Sequence, residues 1–139
     1  MEYEAALFKV LANPIRMRLA VLLSIQGEIC VCMLAEALDE PDFKVSRHLG
    51  IMRSAGIVKA RREGTWMHYK LVEPRTDLEK CLQECFRDCL VDHKTITADL
   101  KRLKKATCPP GSSGRKLRVQ CTARNQKRIQ QKRKSQDER

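Results

Sequence analysis

The chain has 139 residues and a formal net charge of +11, but the charge is unevenly placed: residues 1–100 carry a net −1 and residues 101–139 a net +12. That length suits one domain with a modest core, and no apolar run of about 18 residues is present to cross a membrane. Met1-Glu2-Tyr3-Glu4 lacks the basic-then-apolar order of a secretory signal, so a cytoplasmic location is expected and the seven cysteines read as thiols, ligands or redox groups before disulfides.

In chain order, Ala5, Leu7, Phe8, Val10 and Leu11 predict a first helix over Glu2–Leu11. Asn13-Pro14 marks a break and an N-cap with proline at the first helical position. Ile15, Leu19, Leu22 and Leu23 form the buried stripe of a second helix that ends at Gly27. A third helix is predicted from Val31 to Leu38. After the turn Asp39-Glu40-Pro41-Asp42, with Asp42 as the expected cap, a fourth runs from Phe43 to Ser54. Its apolar face is Val45, Leu49 and Met52, leaving Lys44, Ser46, Arg47 and His48 on other faces. Two short helices joined by a tight turn, the second with a polar, basic face, make a helix-turn-helix arrangement. Ala55-Gly56 stops it. Residues 57–62 and 65–72 then read as two strands around a Glu63-Gly64 turn, a basic hairpin placed as a wing. Candidate DNA contacts are therefore Asp42, Phe43, Lys44, Ser46, Arg47, His48 and Arg53 on the helix, and Arg61, Arg62 and Thr65 on the hairpin. Trp66 and Tyr69 are expected to pack on the hairpin base.

From Arg75 a long helix is predicted to His93, extending to Lys105 with a bend. Its stripe is Leu78, Cys81, Leu82, Cys85, Phe86, Cys89 and Leu90. Burial against a second copy is the simplest way to cover that stripe, which predicts a homodimer. Two copies would present two recognition helices to half-sites about 34 Å apart or a multiple of that. The expected division is a folded domain over 1–106 and a basic, disordered tail over 107–139, with a helical stretch near Gln126–Lys134. The tail is too poor in large apolar residues to offset its ordering entropy. It either adds non-specific attraction to phosphates or remains solvated. The fold class is thus mainly α with a β-hairpin wing, a winged helix-turn-helix dimerising through terminal helices.

Three segments carry a resemblance: Val45-Ser46-Arg47-His48-Leu49, residues 53–58 (Arg-Ser-Ala-Gly-Ile-Val), and residues 61–71 (Arg-Arg-Glu-Gly-Thr-Trp-Met-His-Tyr-Lys-Leu). With Leu11-Ala12-Asn13-Pro14-Ile15-Arg16 they closely resemble the ArsR/SmtB family of metal-responsive repressors, over residues 5–93. The resemblance implies a dimer that binds operator DNA without metal and releases it when metal binds. Cys30-Val31-Cys32 is similar to the cysteine pair of the arsenic- and antimony-responsive branch. The departure is Ala35, where the pattern Cys-Val-Cys-x-x-Cys has its third cysteine. No cysteine precedes Cys30, which speaks against the cadmium/lead branch, and His93 is the only histidine on the last helix, which speaks against a zinc site.

Thiolates are soft ligands and select soft acceptors, so As(III), Sb(III) or a methylarsenite that needs only two sulfurs are the expected effectors. In a regular helix, residues two apart point about 200° from each other. Cys30 and Cys32 can therefore share an ion only if Cys30 lies outside the helix or the first turn unwinds. A third sulfur could come from Cys81, Cys85, Cys89 or Cys108, and Cys121 is incidental. The Cys81–Cys89 row also fits packing as small hydrophobes. The competing functions are a thiol-redox-responsive repressor and, ranked low, a thiol enzyme such as an arsenate reductase, because no phosphate-cradling loop or His/Asp catalytic set accompanies the cysteines.

Overall fold

A computed structural model describes residues 1–106; the expectations for the basic tail, the Gln126–Lys134 helix, Cys108 and Cys121 lie outside the described residues. Six helices and three short strands follow in the order α1 (Glu2–Leu11), α2 (Pro14–Gln26), β1 (Ile29–Cys30), α3 (Val31–Leu38), α4 (Asp42–Ser54), β2 (Val58–Glu63), β3 (Trp66–Leu71), α5 (Asp77–Asp88) and α6 (Lys94–Lys105).

The central element is α2. Asn13 caps it by accepting from the backbone N–H groups of Ile15 and Arg16, and Pro14 occupies the first turn, where a missing N–H costs nothing. Leu19 to Leu23 are buried without a gap, so α2 is enclosed rather than amphipathic. Around it close Leu7 and Leu11 of α1, Leu34 of α3, Val45, Leu49 and Met52 of α4, and Phe86 of α5. Replacing one of these leucines by alanine costs about 2–5 kcal/mol, from lost transfer energy and the cavity left behind.

α3 ends in a left-handed residue, Asp39 (φ 54°), whose N–H returns to the helix's last carbonyls. Pro41, rather than Asp42, takes the N-cap position of α4; Asp42 is the first helical residue and makes no capping bond, although its charge suits the helix N-terminus. Gly56, in a positive-φ conformation, turns the chain from α4 into β2.

The wing contains the expected hairpin, β2 and β3, and β1 adds a third strand to make an antiparallel sheet in the order β1-β3-β2. Glu63 pairs with Trp66, so the loop is Gly64-Thr65, with Gly64 at φ 60° as a tight hairpin demands. Tyr69 is buried between Ile29 and Ala60, its expected place on the hairpin base, and Trp66 is half-buried.

The long terminal helix is two helices. α5 starts at Thr76, whose hydroxyl accepts from the Glu79 N–H. A fresh N-cap at His93, whose Nδ1 accepts from the Thr95 N–H, starts α6. The stripe also divides. Phe86 is buried, and Leu78, Leu82 and Leu90 pack against the chain's own core, whereas Cys81, Cys85 and Cys89 are exposed. The expectation that a second copy is the simplest cover for this stripe is corrected for its leucine side, which packs on the chain's own core. Only the cysteine edge faces outward.

Candidate nucleic-acid interface and thiol site

Packing sorts the side chains of α4. Val45, His48, Leu49 and Met52 face inward, and Phe43, Ser46, Arg47, Ile51, Arg53 and Ser54 are exposed. Of the predicted DNA contacts on this helix, Phe43, Ser46, Arg47 and Arg53 thus stand outward with Asp42. Lys44 is half-buried and bridges Glu40 at 3.0 Å. His48 is the exception. It is 7% exposed, and its Nδ1 lies 3.3 Å from the Arg16 guanidinium. Burial first, then the positive charges of Arg16, Arg47 and Lys44, lowers its pKa. A buried histidine beside an arginine is a packing group, so His48 leaves the set of DNA contacts.

On the wing, Arg61, Arg62 and Thr65 are exposed as expected. Arg61 is held by carboxylates on both sides, donating to Glu28 at 2.5 Å and to Glu63 at 3.2 Å. Glu28 was not foreseen; only the cross-strand geometry brings it to a residue 33 positions away.

The thiol site lies where the wing sheet meets the helix-turn-helix. Cys30 is both the last residue of β1, paired with His68 of β3, and the N-cap of α3, with extended backbone (φ −68°, ψ 144°). Cys32 is the second residue of α3. Because Cys30 sits outside the helix, the 200° divergence does not apply, and the two sulfurs stand 3.0 Å apart. Of the two routes to a shared ion, the structure takes the one that needs no unwinding. Cys30 is 2% exposed. Cys32 is half-buried and opens on a groove between α3 and α4 lined also by Ala35, Glu36, Asp39, Glu40 and Asp42. Ala35, one turn on, lines that same groove, which is why a third cysteine there would have joined the pair. Among the described residues, no three His, Cys, Asp or Glu side chains gather into a metal-binding group. Within one chain, then, Cys81, Cys85 and Cys89 are not brought to Cys30 and Cys32. Cys85 and Cys89 do meet each other, and partial desolvation, then the hydrogen bond with Cys89, pushes the Cys85 thiol pKa up.

A second constellation escaped the sequence reading. Asp99 of α6 is fully buried and accepts from Arg18 at 2.7 and 2.8 Å and from Arg102 at 2.6 Å. The same two arginines donate to the last carbonyls of α3: Arg18 to Leu38 at 3.1 Å and Arg102 to Ala37 at 2.7 Å. The buried carboxylate is thereby paired and the orphan C-terminal carbonyls of α3 are satisfied together. α3 is fixed at both ends, to the wing sheet at its start and to α2 and α6 at its finish.

A helix-turn-helix with an exposed basic face, joined to a β wing, defines a winged helix-turn-helix DNA-binding regulator. Residues 13–60 match the family described as bacterial regulatory protein, arsR family. The arsenical resistance operon repressor of Escherichia coli is 36% identical over 104 residues, covering 73% of this chain and 86% of that protein. The transcriptional repressor BigR from Xylella fastidiosa has a similar structure, with TM-score 0.52 and 31% identity over 65% of this chain and 87% of its own. So does a homodimeric winged helix-turn-helix DNA-binding domain from Mycobacterium bovis, with TM-score 0.52 and 30% identity over 78% and 88%. The chain belongs to the arsR family, whose members are DNA-binding transcriptional regulators and not enzymes. No helix among the described residues is long and apolar enough to cross a membrane.

Proposed function

We propose that the chain is a cytoplasmic, metalloid-responsive repressor. It binds operator DNA as a homodimer and lets go when trivalent arsenic or antimony is captured by Cys30 and Cys32. The observation that carries this reading is the pair of sulfurs, 3.0 Å apart at the shared root of α3 and the wing sheet. Their softness selects the acceptor, and their position supplies the coupling. An ion drawn between them moves Cys30, which is a strand residue and a helix cap at once. That displaces β3 through the Cys30–His68 pairing and α4 through α3. The name of the Escherichia coli relative and the homodimeric state of the Mycobacterium bovis neighbour support the effector class and the dimer. Two sulfurs suffice for a methylarsenite; As(III) or Sb(III) draws a third donor from Cys108, or from Cys81, Cys85 or Cys89 of a second copy of the chain. The domain spans 1–106, and the basic tail over 107–139 adds charge attraction to phosphates.

The test is operator binding followed by fluorescence anisotropy, titrated with arsenite, methylarsenite, Cd(II) and Zn(II). Arsenicals should release the wild type. Cys30→Ser and Cys32→Ser should bind DNA normally and not respond, and Cys85→Ser should separate a two-sulfur from a three-sulfur site. Release by Cd(II) but not by arsenicals contradicts the proposal. The sulfur contact also favours a second reading, a redox switch through a Cys30–Cys32 disulfide. Release by arsenite in the presence of a strong reductant rejects that reading, and release by oxidant alone supports it.

A further inference from the structure

We infer that Phe43 reads sequence: its ring makes the apolar contact to the 5-methyl group of a thymine in the major groove. The inference rests on α4 being the recognition helix and names what one of its residues recognises.

Phe43 is 78% exposed, more than the other described aromatics that stand out, Phe8 at 50% and Tyr3 at 41%. It is the second residue of α4, at the end of the helix where a helix-turn-helix places its base-contacting side chains. Ser46, Arg47 and Gly50 follow at spacings of three, four and seven, so Phe43 heads the outward stripe opposite Val45, Leu49 and Met52. The ring therefore offers its apolar area at the reading end of the helix. The occupant is indicated by its neighbours. Arg47, exposed one turn on, makes this face one for phosphates.

Gly50 is the second observation. Glycine inside a helix costs about 1 kcal/mol relative to alanine. Yet Gly50 has no positive φ, and nothing lies within 4 Å of a Cβ built on it. No contact among the described residues requires it. On this stripe its bare backbone lets α4 lie close to a DNA strand. In the major groove every base edge presents polar groups, and the apolar feature is the thymine methyl. An apolar ring at the reading end of the helix has that methyl as its match.

The experiment begins by selecting bound sequences from a random duplex pool with the full chain. Each thymine of the selected site is then replaced singly by uracil, which removes the methyl and nothing else. We expect one position per half-site where uracil weakens binding about 3- to 5-fold, the worth of one buried methyl. Phe43→Ala should lose a similar factor on the thymine site and no longer distinguish uracil, while Phe43→Leu keeps part of the discrimination. Phe43 is exposed, so both variants should match the wild type in urea unfolding. Insensitivity to uracil everywhere overturns the inference, as does discrimination retained by Phe43→Ala. Equal loss on both sites with a bent duplex would make Phe43 a wedge between bases, and a change in self-association alone would make it a protein contact; either overturns it. Failure to select any sequence would sink the DNA-binding reading itself, whereas selection without methyl sensitivity sinks only the role of Phe43.

Discussion

His48 is buried on the inward face of α4, and its proton carries a consequence for stability. Burial and the surrounding cations place its folded pKa below the ordinary 6.5. The unfolded chain therefore binds this proton more readily than the native state does. The contribution is complete above the ordinary value and is lost as pH falls through the folded one. His48→Gln keeps a hydrogen-bond acceptor and cannot titrate. In urea unfolding at about pH 7.5 and about pH 5.5, the wild type should lose more stability on acidification than His48→Gln does. Equal losses would show that the burial of His48 is not felt as a proton cost. The same residue shows what residue type conveys. A histidine beside arginines on a basic helix reads as helical packing or as a phosphate contact. That it turns inward follows from its place at i+3 from Val45 and i−4 from Met52.

At the scale of elements, α3 is clamped at both ends, and the distal clamp depends on Asp99. Removing that carboxylate strands Arg18, which is only 19% exposed, and frees α6 from the end of α3. Asp99→Ala should lower the unfolding free energy by about 3–5 kcal/mol in urea denaturation, the cost of breaking a buried ion pair from one side. A loss below about 1 kcal/mol would mean that the arginines find water easily and that the clamp is ornamental. Periodicity made α1 to α4 legible: buried residues at spacings of three and four, Asn13-Pro14 before α2 and Gly27 after it. The hairpin was legible from Gly64. What stayed hidden has a common cause. β1 is two residues long and carries no period; it exists because Tyr69 and His68 of a strand 38 or more positions away pair with it. The Asp99 clamp and the Glu28–Arg61 pair join residues 81 and 33 positions apart, and no local pattern announces them. The break between α5 and α6 has no glycine or proline to mark it, only the histidine cap. The sulfur pair was legible as residues, whereas its geometry depended on which side of the helix start Cys30 fell.

Across the whole molecule, the thiol pair lies within the DNA-binding unit and not beyond it. β1, α3 and the wing strand β3 meet at Cys30, so the proposed effector site and the DNA face share a backbone. Residues 1–100 have a net charge of −1 and residues 101–139 a net +12, so in the proposed reading the basic tail adds attraction to phosphates without selecting sequence. On that reading, control acts through the geometry of α4 and the wing. If the metalloid works by moving that shared backbone, coupling must be reciprocal: whatever factor arsenite takes from operator affinity, the operator takes from arsenite affinity. The most direct measurement is the arsenite dissociation constant of the protein alone and of its operator complex, set against the operator dissociation constant with and without arsenite. We predict a common factor of about 5 to 150, the ordinary range for such coupling, and its disappearance in Cys30→Ser and Cys32→Ser. Arsenite bound by Cys30 and Cys32 with the same affinity in the free and operator-bound protein would contradict the account.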